Sequence, residues 1–431
     1  MSGAISASST RGLHGTCRVP GDKSISHRAA LLGSLAPGPS VITGFSPAGD
    51  CRSTLAALRR LGAEITVVGD LVEVGAGLAR ASRGVCAEVD CGRSGTTMRL
   101  LAGIVASTGG EFLLTGHPQL LRRPMGRVAE PLRAMGAVVE LADGGVPPMH
   151  IRGAALGGIT YTPAVASAQV KSAILLAGLS AVGATTVVEA VATRDHTERL
   201  LAGMGARISV DRRGPSCQVR LEPGPLTPLH MRVPGDASSA AVIAAAAALV
   251  PGSDVLLAGV SANATRTGFL RVLEAMGAQV ETIRQGCDGQ VEPVADFRIK
   301  HRPLNAVRIG AEEVPFIIDE LPLVGLLATQ ATGTTEVVGA QELRVKESDR
   351  IRGLVEGLRR LGADAEELPD GFVVRGRAAL RGGVCDSMLD HRLAMTFSLA
   401  GLIAEGPVEV SGLEFVDDSF PGFLECLGAL L

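Results

Sequence analysis

Lysine is scarce where arginine is abundant: of 41 basic residues, 37 are Arg and only Lys23, Lys171, Lys300 and Lys346 are Lys. Arginine stays protonated and presents a planar fork of donors, whereas lysine is a compact ammonium that gives up its proton when its surroundings lower its pKa. A retained lysine is therefore a candidate for proton chemistry, although accident accounts for any one of the four taken alone. Two of them stand close to segments suited to binding phosphate, and Lys300 does not. The first such segment, Pro20-Gly21-Asp22-Lys23-Ser24-Ile25-Ser26-His27-Arg28, joins a tight turn and cap-forming side chains to an apolar helix. Its first turn would offer free N–H groups, a Lys and an Arg to a phosphate or carboxylate. The Walker pattern G-x-x-x-x-G-K-[ST] is absent, and an ordinary helix cap is an equally good account of this segment alone.

Other segments repeat the theme. Gly92-Arg93-Ser94-Gly95-Thr96-Thr97-Met98-Arg99 is a Gly-rich turn whose small residues allow backbone to approach a ligand. Arg122-Arg123-Pro124-Met125 sets two guanidinium groups before a Pro-initiated helix, and Ser167-Ala168-Gln169-Val170-Lys171-Ser172 offers hydroxyl and amide groups at another helix start. Each reads equally well as capping or surface polarity. Residues 344–350, Arg-Val-Lys-Glu-Ser-Asp-Arg, form the densest cluster, with cations and carboxylates within helical reach. A solvated charged face is the ordinary reading of such a run. Asp390-His391-Arg392 again puts a polar cap and an Arg at a helix entry. Cationic helix entries recurring in a near-neutral protein suggest a small polyanionic ligand.

The elements that must position these residues show through an internal repeat. Leu or Met followed by Gly-Ala closes a helix-like segment at Gly62, Gly136, Gly205, Gly277, Gly362 and Gly428, each glycine standing where a helix end favours a left-handed residue. The first five are followed by strand-like runs. A longer repeat relates Arg18-Val19-Pro20-Gly21-Asp22 to Arg232-Val233-Pro234-Gly235-Asp236. Three units per half in two similar halves is the plain reading. The Pro-Gly turns place a first domain at 20–233 and a second at 234–431, with residues 1–19 returning to complete the second.

Composition closes off other classes. A net charge of −3 attracts the chain neither to nucleic acid nor to an anionic membrane, and with no Trp and one Tyr, Tyr161, there is little surface for stacking bases. The longest apolar run, 240–250, is too short for a bilayer, for which about 20 residues are needed, and reads as a buried helix. No signal peptide is apparent in residues 1–10, so a cytoplasmic protein is expected. Eight Cys without C-x-x-C and eight His without ligand spacing predict reduced, buried thiols and no metal.

Taken in order, the segments from Gly21 to Arg28, Arg123-Pro124-Met125, Ser167-Ala168-Gln169, Thr193-Arg194-Asp195-His196-Thr197-Glu198, Ile318-Asp319-Glu320, 344–350 and Asp390-His391-Arg392 resemble the signature blocks of 5-enolpyruvylshikimate-3-phosphate synthases, over essentially the whole chain. The wording of the SAQVK and TRDHTE blocks is similar to the bacterial class II subgroup, which includes glyphosate-tolerant members. The resemblance implies an α/β fold of two similar domains, each of three βαβαββ repeats, with the active site in the interdomain cleft. It implies a cofactor-free, metal-free transfer of the enolpyruvyl group of phosphoenolpyruvate to the 5-hydroxyl of shikimate 3-phosphate, with release of phosphate. By motif match, Ser24, Arg28, Ser167, Ala168, Gln169, Arg194, Asp319 and Lys346 would contact shikimate 3-phosphate. Lys23, Gly95, Arg123, Arg350 and Arg392 would surround phosphoenolpyruvate, with Gln169 near both. Asp319, Lys23 and Glu347 resemble the family's proton-transfer groups, and either of the latter two could protonate carbon. A monomer binding these two substrates, with glyphosate as a possible inhibitor, follows from the same resemblance.

One position departs. The family's Gly-Asn-x-Gly-Thr block has Asn where this chain has Arg93, so a catalytically impaired binding protein on the same scaffold is an alternative. A sibling transferase acting on UDP-N-acetylglucosamine would need a Lys-Asn start, and Lys23-Ser24 does not match it. An RNA-end-processing enzyme would need a nucleophilic His motif, which is not found.

Overall fold

The computed structural model describes residues 3–5, 12–75, 86–286 and 291–431. Contacts divide it into two compact units. One contains the described residues of Met1–Asp22, Pro234–Asp288 and Pro293–Leu431, the other Lys23–Val233 with the described part of Gly289–Glu292. Each has its own hydrophobic core.

In the Lys23–Val233 unit the helices are α1 (Lys23–Gly33), α2 (Gly49–Arg60), α3 (Gly95–Ala106), α4 (Gly126–Met135), α5 (Ala168–Gly178) and α6 (His196–Gly203). The other unit carries α7 (Ala237–Leu249), α8 (Gly268–Ala275), α9 (Val314–Ile317), α10 (Leu321–Ala328), α11 (Arg350–Arg360), α12 (His391–Ala400) and α13 (Phe423–Gly428). The repeat is clearest around α3 and α4. Strand Cys86–Asp90 runs parallel to Glu111–Thr115 across α3, and after α4 the hairpin Val138–Ala142 and Val146–Arg152 adds antiparallel strands to give one four-stranded sheet. Each unit holds three sheets of this kind, the last reduced to three strands where Gly3–Ile5 pairs with residues 408–410.

Two strands are exchanged between the repeats. His14–Cys17 leads into α1, yet it belongs to the unit of residues 234–288 and pairs there in parallel with residues 254–257. His230–Arg232 leads into α7 but pairs with residues 41–43. Within the unit that contains both Pro-Gly-Asp segments, the Asp22 N–H donates to Pro234 O and the Asp236 N–H to Pro20 O, each at 2.8 Å.

Inner and outer helices differ in composition for a physical reason. The first helix of each repeat is buried nearly all round: α7, written ASSAAVIAAAAAL, exposes nothing from Ser238 to Leu249. Small side chains let such helices approach closely. A Cβ on Gly103 of α3 would lie 2.1 Å from the Ala173 carbonyl of α5, so only glycine fits that crossing. Outer helices such as α2 and α11 bury one face and, apart from the buried Arg350 that opens α11, keep arginines outside.

Several expectations are corrected. Of the six repeat glycines, Gly62, Gly136, Gly205, Gly277 and Gly362 have φ between 80° and 111°, but Gly428 is the last residue of α13 and is not left-handed. Helix α4 begins at Gly126, after Met125, rather than at Pro124. The thiols are not all reduced: Cys17, at the end of its strand, and Cys426, on α13, are joined as a disulfide with Cα atoms 6.8 Å apart. They are 409 residues apart in sequence, and no local spacing announces the pair. Among the other described cysteines, Cys51, Cys91, Cys217 and Cys385 are buried and Cys86 is exposed; Cys287 lies outside the described residues.

Candidate active site

In the Lys23–Val233 unit, the starts of the three inner helices are tied together by buried polar contacts. His27 of α1 bonds through Nδ1 to the Thr54 hydroxyl of α2 at 2.6 Å, and Thr54 bonds to the Thr97 hydroxyl of α3 at 2.6 Å. Burial, and then the charges of Lys23 and Arg28, hold the His27 imidazole well below its ordinary pKa, so it is neutral. Arg28, 3% exposed, donates from Nε to Thr197 Oγ1 at 2.8 Å and from Nη2 to Ser172 Oγ at 2.9 Å. Its Nη1 donates to the Ser24 carbonyl at 3.0 Å. The Ser172 hydroxyl in turn donates to the Ala168 carbonyl at 2.6 Å. Between α3 and α5, Arg99 Nη1 donates to Gln169 Oε1 at 2.6 Å, and Gln169 Nε2 donates to Thr96 Oγ1 at 2.8 Å.

Other expected residues sit on the same helix starts. Lys23 is the first residue of α1, and its ammonium is 2.9 Å from Asp50 Oδ2. Ser24 is half-buried beside it. Gly95 opens α3, and a Cβ there would lie 2.7 Å from Arg123 Nη1 and 3.1 Å from Arg99 Nη1, which places the Arg123 and Arg99 guanidinium groups around it. Arg123 is buried, whereas its neighbour Arg122 is exposed, so the adjacent arginines do not act as a pair. Ser167 caps α5, its hydroxyl accepting the Val170 N–H. Ala168 and Gln169 form the first turn, and Arg194 is half-buried just before α6. Three helix N-termini with Lys23, Arg28, Arg99 and Arg123 make a strongly electropositive set.

The other unit has a contrasting charge pattern. Arg350 opens α11 at 2% exposure and donates from Nε to Asp390 Oδ2 at 2.8 Å, from Nη2 to Glu347 Oε2 at 2.6 Å and from Nη1 to Asp319 Oδ1 at 3.3 Å. Burial works against its charge, but Asp390, Glu347 and Asp319 more than offset that and raise its pKa. The Lys346 ammonium is 4.0 Å from Asp319 Oδ1. Arg392 is the second residue of α12; its N–H is capped by Asp390 Oδ1 at 2.8 Å, while its buried Nε has no hydrogen-bond partner among the described residues. The segment 344–350 is therefore not a solvated face, because Arg350 is at the centre of a carboxylate cluster.

A second buried cation, Arg266, stands 3.6 Å from Asp22, 3.2 Å from Asp236 and 2.8 Å from Ser238 Oγ. The Ser238 hydroxyl donates to Glu320, the neighbour of Asp319. No group of His, Cys, Asp and Glu among the described residues could hold a metal ion.

Sequence reasoning passed over Asp50 and Arg266, and it quoted Arg99, Ser172, Thr197 and Asp390 within candidate segments without giving them individual ligand or proton-transfer roles. Arg99 was findable, one helical turn after Gly95. The others act through partners far along the chain. Arg93, the departure in the Gly-rich turn, donates from Nη2 to Gln119 Oε1, so that guanidinium has a protein acceptor.

The EPSP synthase (3-phosphoshikimate 1-carboxyvinyltransferase) family matches residues 8–427. A 3-phosphoshikimate 1-carboxyvinyltransferase of Methylococcus capsulatus is 49% identical over 416 residues, 96% of this chain and 94% of the relative. One from Pelotomaculum thermopropionicum is 47% identical over 98% of this chain and 97% of the relative. An EPSP synthase structure from Acinetobacter baumannii superposes with a TM-score of 0.84 at 40% identity, covering 100% of this chain and 98% of that one. With the repeat, the helix-start cations and the carboxylate cluster on the same full-length match, the chain belongs to the EPSP synthase family.

Proposed function

We propose that this enzyme transfers the enolpyruvyl group of phosphoenolpyruvate to the 5-hydroxyl of shikimate 3-phosphate, and that the residue sets of its two units divide the chemistry. The observation that carries this reading is the linked set of inner-helix starts. Arg28, Arg99 and Gln169 are fixed by hydrogen bonds, Lys23 is held by half-buried Asp50, and buried Arg123 stands beside Gly95; together they offer charge-assisted donors suited to phosphate and carboxylate groups. Arg28, Ser24, Ser167, Ala168, Gln169, Arg194 and Lys346 are assigned to shikimate 3-phosphate. Gly95, Arg123, Arg350 and Arg392 are assigned to phosphoenolpyruvate, and the unpartnered Nε of Arg392 supports a ligand there.

In the addition step the 5-hydroxyl oxygen bonds to C2 of phosphoenolpyruvate, its proton passes to Asp319, and the methylene carbon takes a proton from Lys23 or Glu347. Elimination reverses the methylene step: the methyl group loses a proton as the C2–O bond to phosphate breaks. Asp319, proposed as the base, is oriented by Arg350 Nη1 at 3.3 Å and Lys346 Nζ at 4.0 Å from its Oδ1. Lys23, one of the two proposed acids, is oriented by Asp50, whose Oδ2 is 2.9 Å from its ammonium. No observation favours a silent binding protein, since the guanidinium of Arg93 is engaged by Gln119. Glyphosate, with its carboxylate and phosphonate, is proposed to compete for the phosphoenolpyruvate cations, and a cytoplasmic monomer is the proposed working state.

The test is Lys23→Arg, which keeps the charge but removes the compact, titratable donor. Turnover falls by about 10²- to 10⁴-fold, the range typical of a lost general acid, with the unfolding midpoint unchanged. Near-normal turnover removes Lys23 from the chemistry.

A further inference from the structure

Lys171, one of the four lysines, lies on α5 two residues after Gln169 and is 1% exposed. Its ammonium is 2.8 Å from Glu189 Oε2 and 2.6 Å from Glu198 Oε1. Glu189 ends the strand Thr185–Glu189 and also accepts the Thr193 hydroxyl and, at 3.5 Å, the Thr193 N–H. Thr193 immediately precedes Arg194. Glu198 lies on α6 next to Thr197, whose hydroxyl accepts Arg28 Nε and bonds to Ser172. The three charges therefore join α5, α6 and a strand end directly behind Gln169, Arg194 and Arg28.

Stability does not account for this cluster. Desolvating two carboxylates and an ammonium is costly, and well-packed apolar side chains commonly hold elements together as firmly. Burial pushes the Glu198 carboxyl above its ordinary range, against the pull of Lys171. For Lys171, burial opposes the charge, but Glu198 and Glu189 keep the ammonium protonated. What directional ion pairs add over an apolar contact is a single geometry, because a slip of α5 against α6 would leave a buried charge unpaired. The compact Lys171 ammonium reaches carboxylates on two different elements at once.

We propose that Lys171 is a positioning residue for the acceptor substrate, fixing Gln169, Arg194 and Arg28 in the arrangement that binds shikimate 3-phosphate. This rests on the assignment of those three residues above. Lys171 touches neither substrate. It acts through the helix starts that do.

The experiment compares Lys171→Met, Glu198→Gln and Arg28→Lys by steady-state phosphate release, varying each substrate in turn, with urea unfolding to confirm the folded state. Misplacing binding groups by about 1 Å costs on the order of 100-fold, so Lys171→Met raises KM for shikimate 3-phosphate by about 10- to 100-fold. KM for phosphoenolpyruvate rises at least threefold less. Glu198→Gln, which leaves the Lys171–Glu189 pair intact, shifts the same constant in the same direction by a smaller factor, and it decides the matter should Lys171→Met not fold. An unchanged KM for shikimate 3-phosphate in a folded variant overturns the proposal, as does an equal rise in both constants. Arg28→Lys separates the two levels: no effect there overturns the site assignment itself, whereas an effect there and none at Lys171 or Glu198 overturns only the positioning role.

Discussion

Adding one methyl group at Gly95 tests the placement of the phosphoenolpyruvate cations. Gly95 is the first residue of α3 and does not have a left-handed backbone, so Ala is conformationally acceptable there and the helix start is retained. The new Cβ would lie 2.7 Å from Arg123 Nη1, 3.1 Å from Arg123 Cζ and 3.1 Å from Arg99 Nη1. Ordinary contacts of this kind need about 3.5 Å or more, so the Arg123 head must retreat by roughly 0.8 Å. A charge-assisted hydrogen bond stretched that far from about 2.8 Å is lost as a short contact. Bonds to charged groups contribute about 1.5–3 kcal/mol, which converts to a rise in KM of roughly 10- to 150-fold. The assay is phosphate release with phosphoenolpyruvate varied at saturating shikimate 3-phosphate. Gly95→Ala should raise KM for phosphoenolpyruvate by that factor, raise the inhibition constant of glyphosate in parallel, and leave KM for shikimate 3-phosphate within about threefold. A KM for phosphoenolpyruvate within about twofold of wild type would show that Arg123 does not bind this substrate.

Two further predictions concern the scaffold. Gly103→Ala drives a Cβ to 2.1 Å from the Ala173 carbonyl, and overpacking of this kind costs about 1–3 kcal/mol, visible as a lower urea midpoint. An unchanged or raised midpoint would show that α3 and α5 can separate at no cost. His27 is neutral in the fold, while the unfolded chain takes up a proton near pH 6.5. Unfolding is therefore favoured as pH falls below 6.5, by up to about 1.4 kcal/mol per pH unit, and this contribution to stability is fully present above that pH. His27→Asn should flatten the unfolding free energy between pH 5 and pH 6.5, and an equal slope in both proteins would refute the assignment.

The repeat was legible because its signals are local: a glycine closing each helix, a strand following, and a Pro-Gly-Asp segment recurring once. The return of residues 1–19 to the second half was expected from the Pro-Gly turns, but the pairing partners of His14–Cys17 and His230–Arg232 were not, because strand pairing over such separations leaves no trace in periodicity. Gly428 shows the limit of the local signal, since the same Leu-Gly-Ala wording there places the glycine within α13 and not in a left-handed turn. At the site, helix-start residues such as Ser24, Gly95, Ser167 and Asp390 could be found from capping and turn chemistry. Burial could not be read so easily. Residues 344–350 look like a solvated run until Asp390, 40 residues after Arg350, closes over its guanidinium. Lys171 likewise reads as a helix-start cation until Glu189 and Glu198 enclose it. Charge in a sequence becomes charge in a site only through partners that the chain brings from elsewhere.

The central claim is the transfer itself and the acceptor that receives it. The most direct measurement is phosphate release from phosphoenolpyruvate by the purified full chain, with shikimate 3-phosphate and UDP-N-acetylglucosamine offered separately as acceptors and the enolpyruvyl product identified by mass spectrometry. Stoichiometric release and an enolpyruvyl adduct are predicted with shikimate 3-phosphate alone. Release with the nucleotide sugar, or no release with either acceptor from protein that binds shikimate 3-phosphate, would contradict the account.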